Sequence, residues 1–152
     1  MKTRPIVHGT FTIERTYPVP PARVFKAFAD PATKGRWFAE DSAPEVGDFK
    51  SDFKVGGREV KRFSFKGGTL QNDTLYMDIV PDQRIVFAYT MSVEDQRISA
   101  SLATVELAPA GNGTKLTFTE QAAFFEGGDG PDMRKGGWSK LFERLGEELR
   151  KK

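Results

Sequence analysis

The fold is decided by residues 116–149, LTFTEQAAFFEGGDGPDMRKGGWSKLFERLGEEL. The first part of this stretch alternates apolar and polar residues, which predicts a β-strand near 114–121. After a Gly- and Asp-rich connection at 127–130, apolar residues recur at spacings of three and four, which predicts a long amphipathic helix. The apolar stripe of this helix consists of Trp138, Leu141, Phe142, Leu145 and Leu149. It must be covered, and the concave face of a twisted antiparallel sheet is the available surface.

Strands are predicted on the N-terminal side of this stretch. The segment Thr10–Tyr17 alternates with Phe11, Ile13, Arg15 and Tyr17 on one face and predicts a first strand, with residues 1–9 as a flexible lead-in. Short alternating segments separated by turn residues then predict six antiparallel strands near 48–55, 58–65, 69–79, 84–92, 97–107 and 114–121. In the strand at 69–79, Asp73 shares a face with Leu75, Met77 and Ile79, and Asp78 lies on the opposite, solvated face.

Two short helices are predicted between the first strand and the second. Prolines before Ala22 suit a helix start, and Val24, Phe25 and Phe28 follow at helical spacing. Asp30 can cap a second helix that begins at Pro31 and carries Trp37 and Phe38 near its end. The sequence therefore predicts one α+β domain over residues 1–152, with a curved antiparallel sheet of about seven strands around a long C-terminal helix.

Composition excludes several classes of function. The net charge is +2 and the basic and acidic residues are interspersed, so no nucleic-acid footprint is present. The chain contains no Cys, which excludes disulfides and thiolate metal sites. No apolar run is long enough to span a bilayer and no signal peptide is recognised, so a cytoplasmic location is expected. A monomer or a weak dimer is expected.

Several stretches together resemble a known family. They are FTIERTYPVPPARVFKAFADPATKGRWF, FKVGGRE, YMDIVPDQRIVFAYTM, and LTFTEQAAFFEGGDG followed by the GW of the last helix. In this order they resemble the START-like or birch-pollen-allergen-like helix-grip superfamily, and within it the domain family named after the activator of the heat-shock chaperone ATPase. The resemblance implies a sheet that grips the terminal helix and, as in many members, a cavity for a lipid, steroid or polyketide-like ligand. The activators carry a further chaperone-binding domain, for which 152 residues leave no room.

Strand parity places two charges on the inner face of the sheet. Glu120 shares a face with Leu116 and Phe118, as Arg15 does with Phe11 and Ile13. Since the family topology makes these strands antiparallel neighbours, Arg15 and Glu120 are predicted to approach each other. The two residues form a structural ion pair, lie at an exposed strand end, or provide the polar anchor of an otherwise apolar pocket.

Large aromatic residues are the candidates for the pocket wall, and each could equally fill the core. With the two charged residues, the candidate ligand-binding set is Arg15, Trp37, Phe38, Phe53, Phe63, Phe87, Tyr89, Met91, Phe118, Glu120, Trp138 and Phe142. Because aromatic residues make up 12% of the chain, both a large core and a lined cavity are compatible with the composition.

The sequence favours a non-catalytic binder or carrier of a small apolar or amphipathic molecule. His8 is the one histidine, so no catalytic triad or multi-histidine metal site can be assembled, and no metal or cofactor is expected. The first alternative is a protein-interaction module that contacts a chaperone or another protein. The second is a cyclase- or hydratase-like enzyme in which Glu120 moves a proton.

Overall fold

The computed structural model describes residues 5–39, 49–65 and 67–151. Its elements are β1 (Val7–Tyr17), α1 (Pro21–Ala29), α2 (Pro31–Phe38), β2 (Phe49–Ser51), β3 (Arg58–Phe65), β4 (Gly68–Val80), β5 (Arg84–Val93), β6 (Gln96–Ala110), β7 (Gly113–Phe124) and α3 (Pro131–Arg150). The predicted order of one strand, two helices, a meander and a long helix is confirmed. None of the described helices is both long and apolar enough to cross a membrane.

The seven strands form one antiparallel sheet in the order β1-β7-β6-β5-β4-β3-β2. The meander from β2 to β7 follows the chain, and β1 then pairs along its whole length with β7, from Val7 opposite Phe124 to Tyr17 opposite Thr114. Residues 7–9, which the sequence assigned to a flexible lead-in, therefore belong to β1. Of the predicted strand at 48–55, the structure has Phe49–Ser51 as β2, and residue 48 lies outside the described part of the chain.

Helix α3 lies in the concave face of the sheet, as its apolar stripe predicted. Trp138, Phe142, Leu145 and Leu149 are buried, and the ring centroids of Trp138 and Phe118 are 4.5 Å apart. At the other side of the helix, the Tyr17 hydroxyl donates to the backbone oxygen of Phe142 at 2.8 Å. Strand β1 thus holds the middle of α3 by packing and by a buried hydrogen bond.

The two short helices close one side of this core. Asp30 ends α1 and caps α2, because its side chain accepts from the Thr33 backbone N–H at 3.3 Å. Trp37 of α2 is buried, donates to the Ala27 backbone oxygen at 2.9 Å, and stacks on Phe142 of α3. The predicted cap is therefore confirmed, and α2 is fixed against both α1 and α3.

A β-bulge in β4 corrects the predicted faces of that strand. The register with β5 shifts between Tyr76 and Asp78, so Met77 is an extra residue and the alternation of side chains reverses there. Before the bulge, the inner face carries Asn72, Thr74 and Tyr76, and Leu75 lies on the outer face. Beyond it Ile79 packs against the core, as predicted. Asp73 and Leu75 therefore share a face, as predicted, but it is the outer one, and the prediction that Ile79 lies on the same face was wrong.

Phe142 is expected to be the core side chain whose loss weakens this fold most directly. It is fully buried and contacts Trp37, Phe118 and Trp138, so Phe142→Ala should lower the free energy of unfolding by about 3–5 kcal/mol in urea denaturation. Met133→Ala on the same helix, where the side chain is 56% exposed, should change it by less than about 0.5 kcal/mol. Equal effects of the two substitutions would contradict this packing.

Candidate ligand-binding site

Glu120 of β7 is a fully buried carboxylate whose two oxygens are both hydrogen-bonded. The Tyr89 hydroxyl of β5 donates to Oε1 at 2.8 Å, and the Ser101 hydroxyl of β6 donates to Oε2 at 2.8 Å. Arg134, in the first turns of α3, approaches Oε2 with Nη1 at 3.3 Å. Three strands and the terminal helix therefore meet at one carboxylate.

Arg134 uses all three guanidinium nitrogens inside the protein. It is 4% exposed, and its Nε and Nη2 donate to Asp129 at 2.8 Å each. Its Nη1 donates to the Tyr89 hydroxyl at 3.0 Å, and its Nη2 donates to the Ser99 hydroxyl at 2.8 Å. A buried guanidinium with a complete set of acceptors is a stable way to hold a carboxylate inside an apolar core.

Burial sets the direction of the pKa shifts in this network. It raises the pKa of Glu120 above the ordinary value, although Arg134, Tyr89 and Ser101 each act to lower it. Burial also raises the pKa of the Tyr89 hydroxyl, and the neighbouring Glu120 adds to that effect. Tyr89 therefore stays protonated as a donor to Glu120 at any physiological pH.

A second buried ion pair joins α2 to the other side of the sheet. Lys34 donates to both carboxylate oxygens of Glu59 and to the Tyr76 hydroxyl, each at 2.9 Å. Tyr76 and Ser51 donate to the same carboxylate at 2.6 and 2.8 Å. Burial raises the pKa of Tyr76 to about 12.

Two residues further along each strand from these networks, the inner face of the sheet carries a row of side chains. In cross-strand order the row, here called the inner row, is Lys61, Asn72, Met91 and Ser99. Lys61 is 3% exposed, and its ammonium lies 4.5 Å from the Phe38 ring centroid and 4.6 Å from that of Phe63. Arg134 reaches the far end of the row through Ser99 and through Met91, whose Sδ is 3.5 Å from Nη2.

Asn72, like Arg144, has a buried polar atom that finds no hydrogen-bond partner among the described residues. The side chain of Asn72 is 7% exposed, and no residue in the described part of the chain donates to its Oδ1. A buried carbonyl oxygen in this state costs about 1–3 kcal/mol relative to a satisfied one.

A small apolar cluster lies beyond the inner row, toward the turns between β3 and β4 and between β5 and β6. This end cluster consists of buried Leu70, Met91 and Ile98 with half-buried Phe63 and Val93. It is separate from the main core, which consists of the aromatic and aliphatic residues under α3. The interior is therefore divided into a ring-filled core and a smaller apolar end cluster, with charged and amide groups between them.

The structure places the predicted site residues in three groups. Trp37, Phe38, Phe87, Phe118, Trp138 and Phe142 are buried in the main core and contact one another ring to ring. Phe53 packs at the edge of that core against Tyr76, at 5.0 Å between centroids. Phe63, Met91, Tyr89 and Glu120 lie at the end cluster and the polar networks described above. Most of the predicted wall is therefore packed core.

The predicted approach of Arg15 to Glu120 was wrong. Arg15 lies opposite Leu116, whereas the residue opposite Glu120 is Phe11, so the two charges are about 13 Å apart along the strands. Arg15 is half-buried and donates to the Glu14 backbone oxygen. Glu120 is instead held by Arg134, which the sequence analysis left out.

The outer face of the sheet carries a shallow groove. It has a volume of about 630 Å³ and crosses β4, β5 and β6 beside Arg58, Arg97 and Phe125. Leu75, Ala88 and Leu102 lie side by side in the cross-strand register on this face. Leu102 is 40% exposed.

A protein-family comparison bears on this fold, in which a sheet surrounds a helix and polar groups lie in the interior. The model of the family described as "Activator of Hsp90 ATPase homolog 1-like protein" matches residues 18–150. The chain belongs to this family. The resemblance drawn from the sequence is thereby confirmed, with the helix-grip fold that it implied.

Solved structures of similar proteins support the same membership. The chain is 53% identical to the Mll3558 protein of Rhizobium loti, with a TM-score of 0.86 over 95% of this chain and 99% of that one. A putative uncharacterised protein of Rhizobium leguminosarum is 37% identical, with a TM-score of 0.92 over 99% and 100% of the two chains. A Chromobacterium violaceum protein is 25% identical, with a TM-score of 0.75 over 94% and 98%. The comparison with curated proteins gave no match.

Sequence reasoning missed five polar residues of this interior: Lys34, Glu59, Lys61, Asn72 and Arg134. Arg134 had a usable signal, because it precedes Trp138 by four residues and so shares the buried face of α3. Along β3, the buried residues Glu59 and Lys61 alternate with more exposed residues. Because the strand contains few apolar residues, its sequence does not indicate which face is buried. Among the described residues, no group of acidic or histidine side chains forms a metal site.

Removal of Arg134 is expected to leave Glu120 buried without its counter-charge. Arg134→Met should lower the free energy of unfolding by about 3–5 kcal/mol, measured by urea denaturation. Arg84→Met is the matched control, because Arg84 and Asp78 form a short ion pair of 2.7 Å whose side chains are 50% and 45% exposed. That control should cost at most about 1 kcal/mol. Similar losses in the two variants would contradict the structural role of the buried pair.

The raised pKa of Glu120 predicts the sign of a pH effect. The folded protein holds this proton more tightly than the unfolded chain, so the stabilisation is complete below the ordinary value of 4.5 and is lost as pH rises through the folded pKa. The unfolding free energy of the wild type minus that of Glu120→Gln should therefore decrease from about pH 4 to about pH 8. Urea denaturation at several pH values measures it, with Glu147→Gln on exposed α3 surface as the control. An increase of this difference with pH would show that folding lowers the pKa of Glu120.

Proposed function

We propose that this protein binds a small amphipathic molecule at the end cluster, with the polar part of the ligand directed to the inner row. The observation that carries the proposal is the separation of two apolar clusters by buried polar groups. The end cluster includes half-buried Phe63 and Val93, and the ammonium of Lys61 lies over the ring of Phe63. An apolar surface with a few placed polar groups is the usual character of a small-molecule site.

The charged groups near the end cluster favour an amphipathic ligand over a purely apolar one. The guanidinium of Arg134 comes within 3.5 Å of Met91 and the ammonium of Lys61 lies 4.6 Å from the Phe63 ring centroid, so positive charge lies beside the apolar side chains of the end cluster. A molecule that covers about 200 Å² of this apolar surface gains about 5 kcal/mol before association costs, so apolar contact alone supports a Kd of about 0.2 mM or weaker. Family membership adds support, because the helix-grip fold is associated with ligand cavities.

Catalysis at Glu120 finds no support in the geometry. The carboxylate is fully buried, and its two oxygens accept from Tyr89, Ser101 and Arg134. A general base needs access to the proton that it removes. The cyclase- or hydratase-like alternative is therefore not proposed.

A protein-interaction surface is the second candidate function, and the outer face of the sheet favours it. Leu75, Ala88 and Leu102 form a continuous apolar strip there, beside the groove of about 630 Å³. Met77 at the bulge is 50% exposed. Contact with another protein would cover these side chains, which makes the strip a candidate surface for a chaperone-associated module.

A neutral fluorescent amphiphile distinguishes these two faces. N-phenylnaphthylamine should bind the wild type at one site per chain in isothermal titration calorimetry. Val93→Trp places a large side chain at the half-buried rim of the end cluster and should weaken binding by about tenfold or more. Leu102→Trp makes the same addition on the outer face and should leave the affinity unchanged.

The reverse result would reject the end cluster as the site. Loss of binding in Leu102→Trp with retention in Val93→Trp would place the probe on the outer face and favour the interaction surface. Circular dichroism and thermal melting of both variants control for loss of the fold. Native mass spectrometry of protein purified without detergent then tests for a co-purified molecule.

A further inference from the structure

The groove on the outer face of the sheet spans four strands, from β3 to β6. Its section of about 630 Å³ is lined by Arg58, Asp73 and Arg97 together with apolar side chains. A second depression of about 400 Å³ is also lined by Asp73 and Arg97, and it continues to Gln71 and Asp95. Because the two depressions share these residues, they form one open surface that a molecule in solution can reach.

The floor of this groove is apolar and low. Leu75, Ala88 and Leu102 lie opposite one another across β4, β5 and β6. In the adjacent cross-strand row, Thr90 lies opposite Ala100, and these short side chains leave room above the sheet. Apolar side chains of a partner would remove this floor from water, which favours association.

The charged groups of the groove are two exposed arginines and one acceptor. Neither Arg58 nor Arg97 forms a side-chain hydrogen bond or an ion pair with any residue in the described part of the chain. Asp73 lies on β4 in the cross-strand row between them. Both of its carboxylate oxygens accept from Gln71 Nε2 at 2.9 Å, and each retains capacity for a further donor.

We propose that the groove binds an extended acidic segment of a partner protein, in which apolar side chains are flanked by carboxylates. The inference rests on the second candidate function, the interaction surface, and names the chemistry of its partner. The carboxylates would pair with Arg58 and Arg97, and a backbone N–H between them would donate to Asp73.

The spacing of the charges favours a peptide over other anionic partners. Arg58 on β3 and Arg97 on β6 lie at least about 14 Å apart across the strands, which an extended chain covers with four or five residues. An anionic membrane is disfavoured, because the carboxylates of Asp73 and Asp95 beside the arginines would repel its phosphates.

Three matched fluorescein-labelled peptides test this chemistry. The first has four leucines flanked on each side by two glutamates, and the other two carry lysines or serines in place of the glutamates. In fluorescence polarisation at pH 7, the acidic peptide should bind the wild type about tenfold more tightly than either of the others. An increase of the salt concentration should reduce this preference, because exposed charges are screened.

Variants of the groove locate the binding site. Arg58→Glu and Arg97→Glu should each weaken binding of the acidic peptide about fivefold or more, whereas Arg150→Glu at the exposed end of α3 should leave it unchanged. Ala100→Trp fills the floor of the groove and should abolish binding. Thr12→Trp makes a similar addition on the exposed outer face of β1 and is the control. Circular dichroism and thermal melting check that each variant is folded.

The outcomes separate the inference from the interaction surface itself. If the acidic and serine peptides bind equally and Ala100→Trp weakens both, the surface exists but does not select acidic partners, and the inference is overturned. A preference for the lysine peptide would also overturn it. If no peptide binds, or if Ala100→Trp has no effect, both the inference and the interaction surface fail, and the end cluster is unaffected.

Vesicles provide the test of a lipid surface in place of a peptide. The wild type should not sediment with vesicles of equal parts phosphatidylcholine and phosphatidylserine. Sedimentation that is lost in Arg97→Glu, together with an absence of peptide binding, would assign the groove to a membrane and overturn the inference.

Discussion

The burial of Glu120 on an inward-facing strand position is the constraint on which the rest of the structure depends. A carboxylate there needs a cation and several donors, and Arg134 supplies the cation from α3. Because Arg134, Trp138 and Phe142 follow at intervals of four residues, the contact that satisfies Glu120 also fixes the rotation of the helix. The same contact sets its position along the sheet. The aromatic rings then meet Phe118 and Phe87 in one arrangement.

The second buried pair complements this restraint at the opposite side of the sheet. Lys34 binds α2 to Glu59 of β3 and to Tyr76 of β4, and Trp37 of the same helix stacks on α3. Buried ion pairs contribute little net stability, because desolvation opposes their attraction. Their effect here is to specify which helix face meets which strand. The end cluster lies beyond both pairs and contacts the first of them through Met91.

Periodicity predicted the elements and most of the core, but it predicted the contacts of the site poorly. The alternation in β1 and β7 gave the correct faces for Phe11, Ile13, Phe118 and Glu120, because a strand with one buried face must alternate. It could not give the register, so the partner of Glu120 was wrong. The bulge at Met77 reverses the alternation of inner and outer side chains in β4. A pattern extended through the bulge therefore places Asn72 on the outer face. Lys34 and Glu59 are far apart in sequence and meet through tertiary packing alone.

The pairing of β1 with β7 has a consequence for how the chain folds during synthesis. Tyr17 has its partner at Thr114 and Val7 has its partner at Phe124, so the first strand finds no neighbour until the last strand has been made. At about 5–20 residues per second the ribosome needs roughly 5–25 seconds for the intervening segment. Throughout that interval the inner side chains Phe11, Ile13 and Tyr17 stay without the surface that later covers them. The topology therefore requires that the nascent first strand is protected early, either by local collapse or by a holding chaperone.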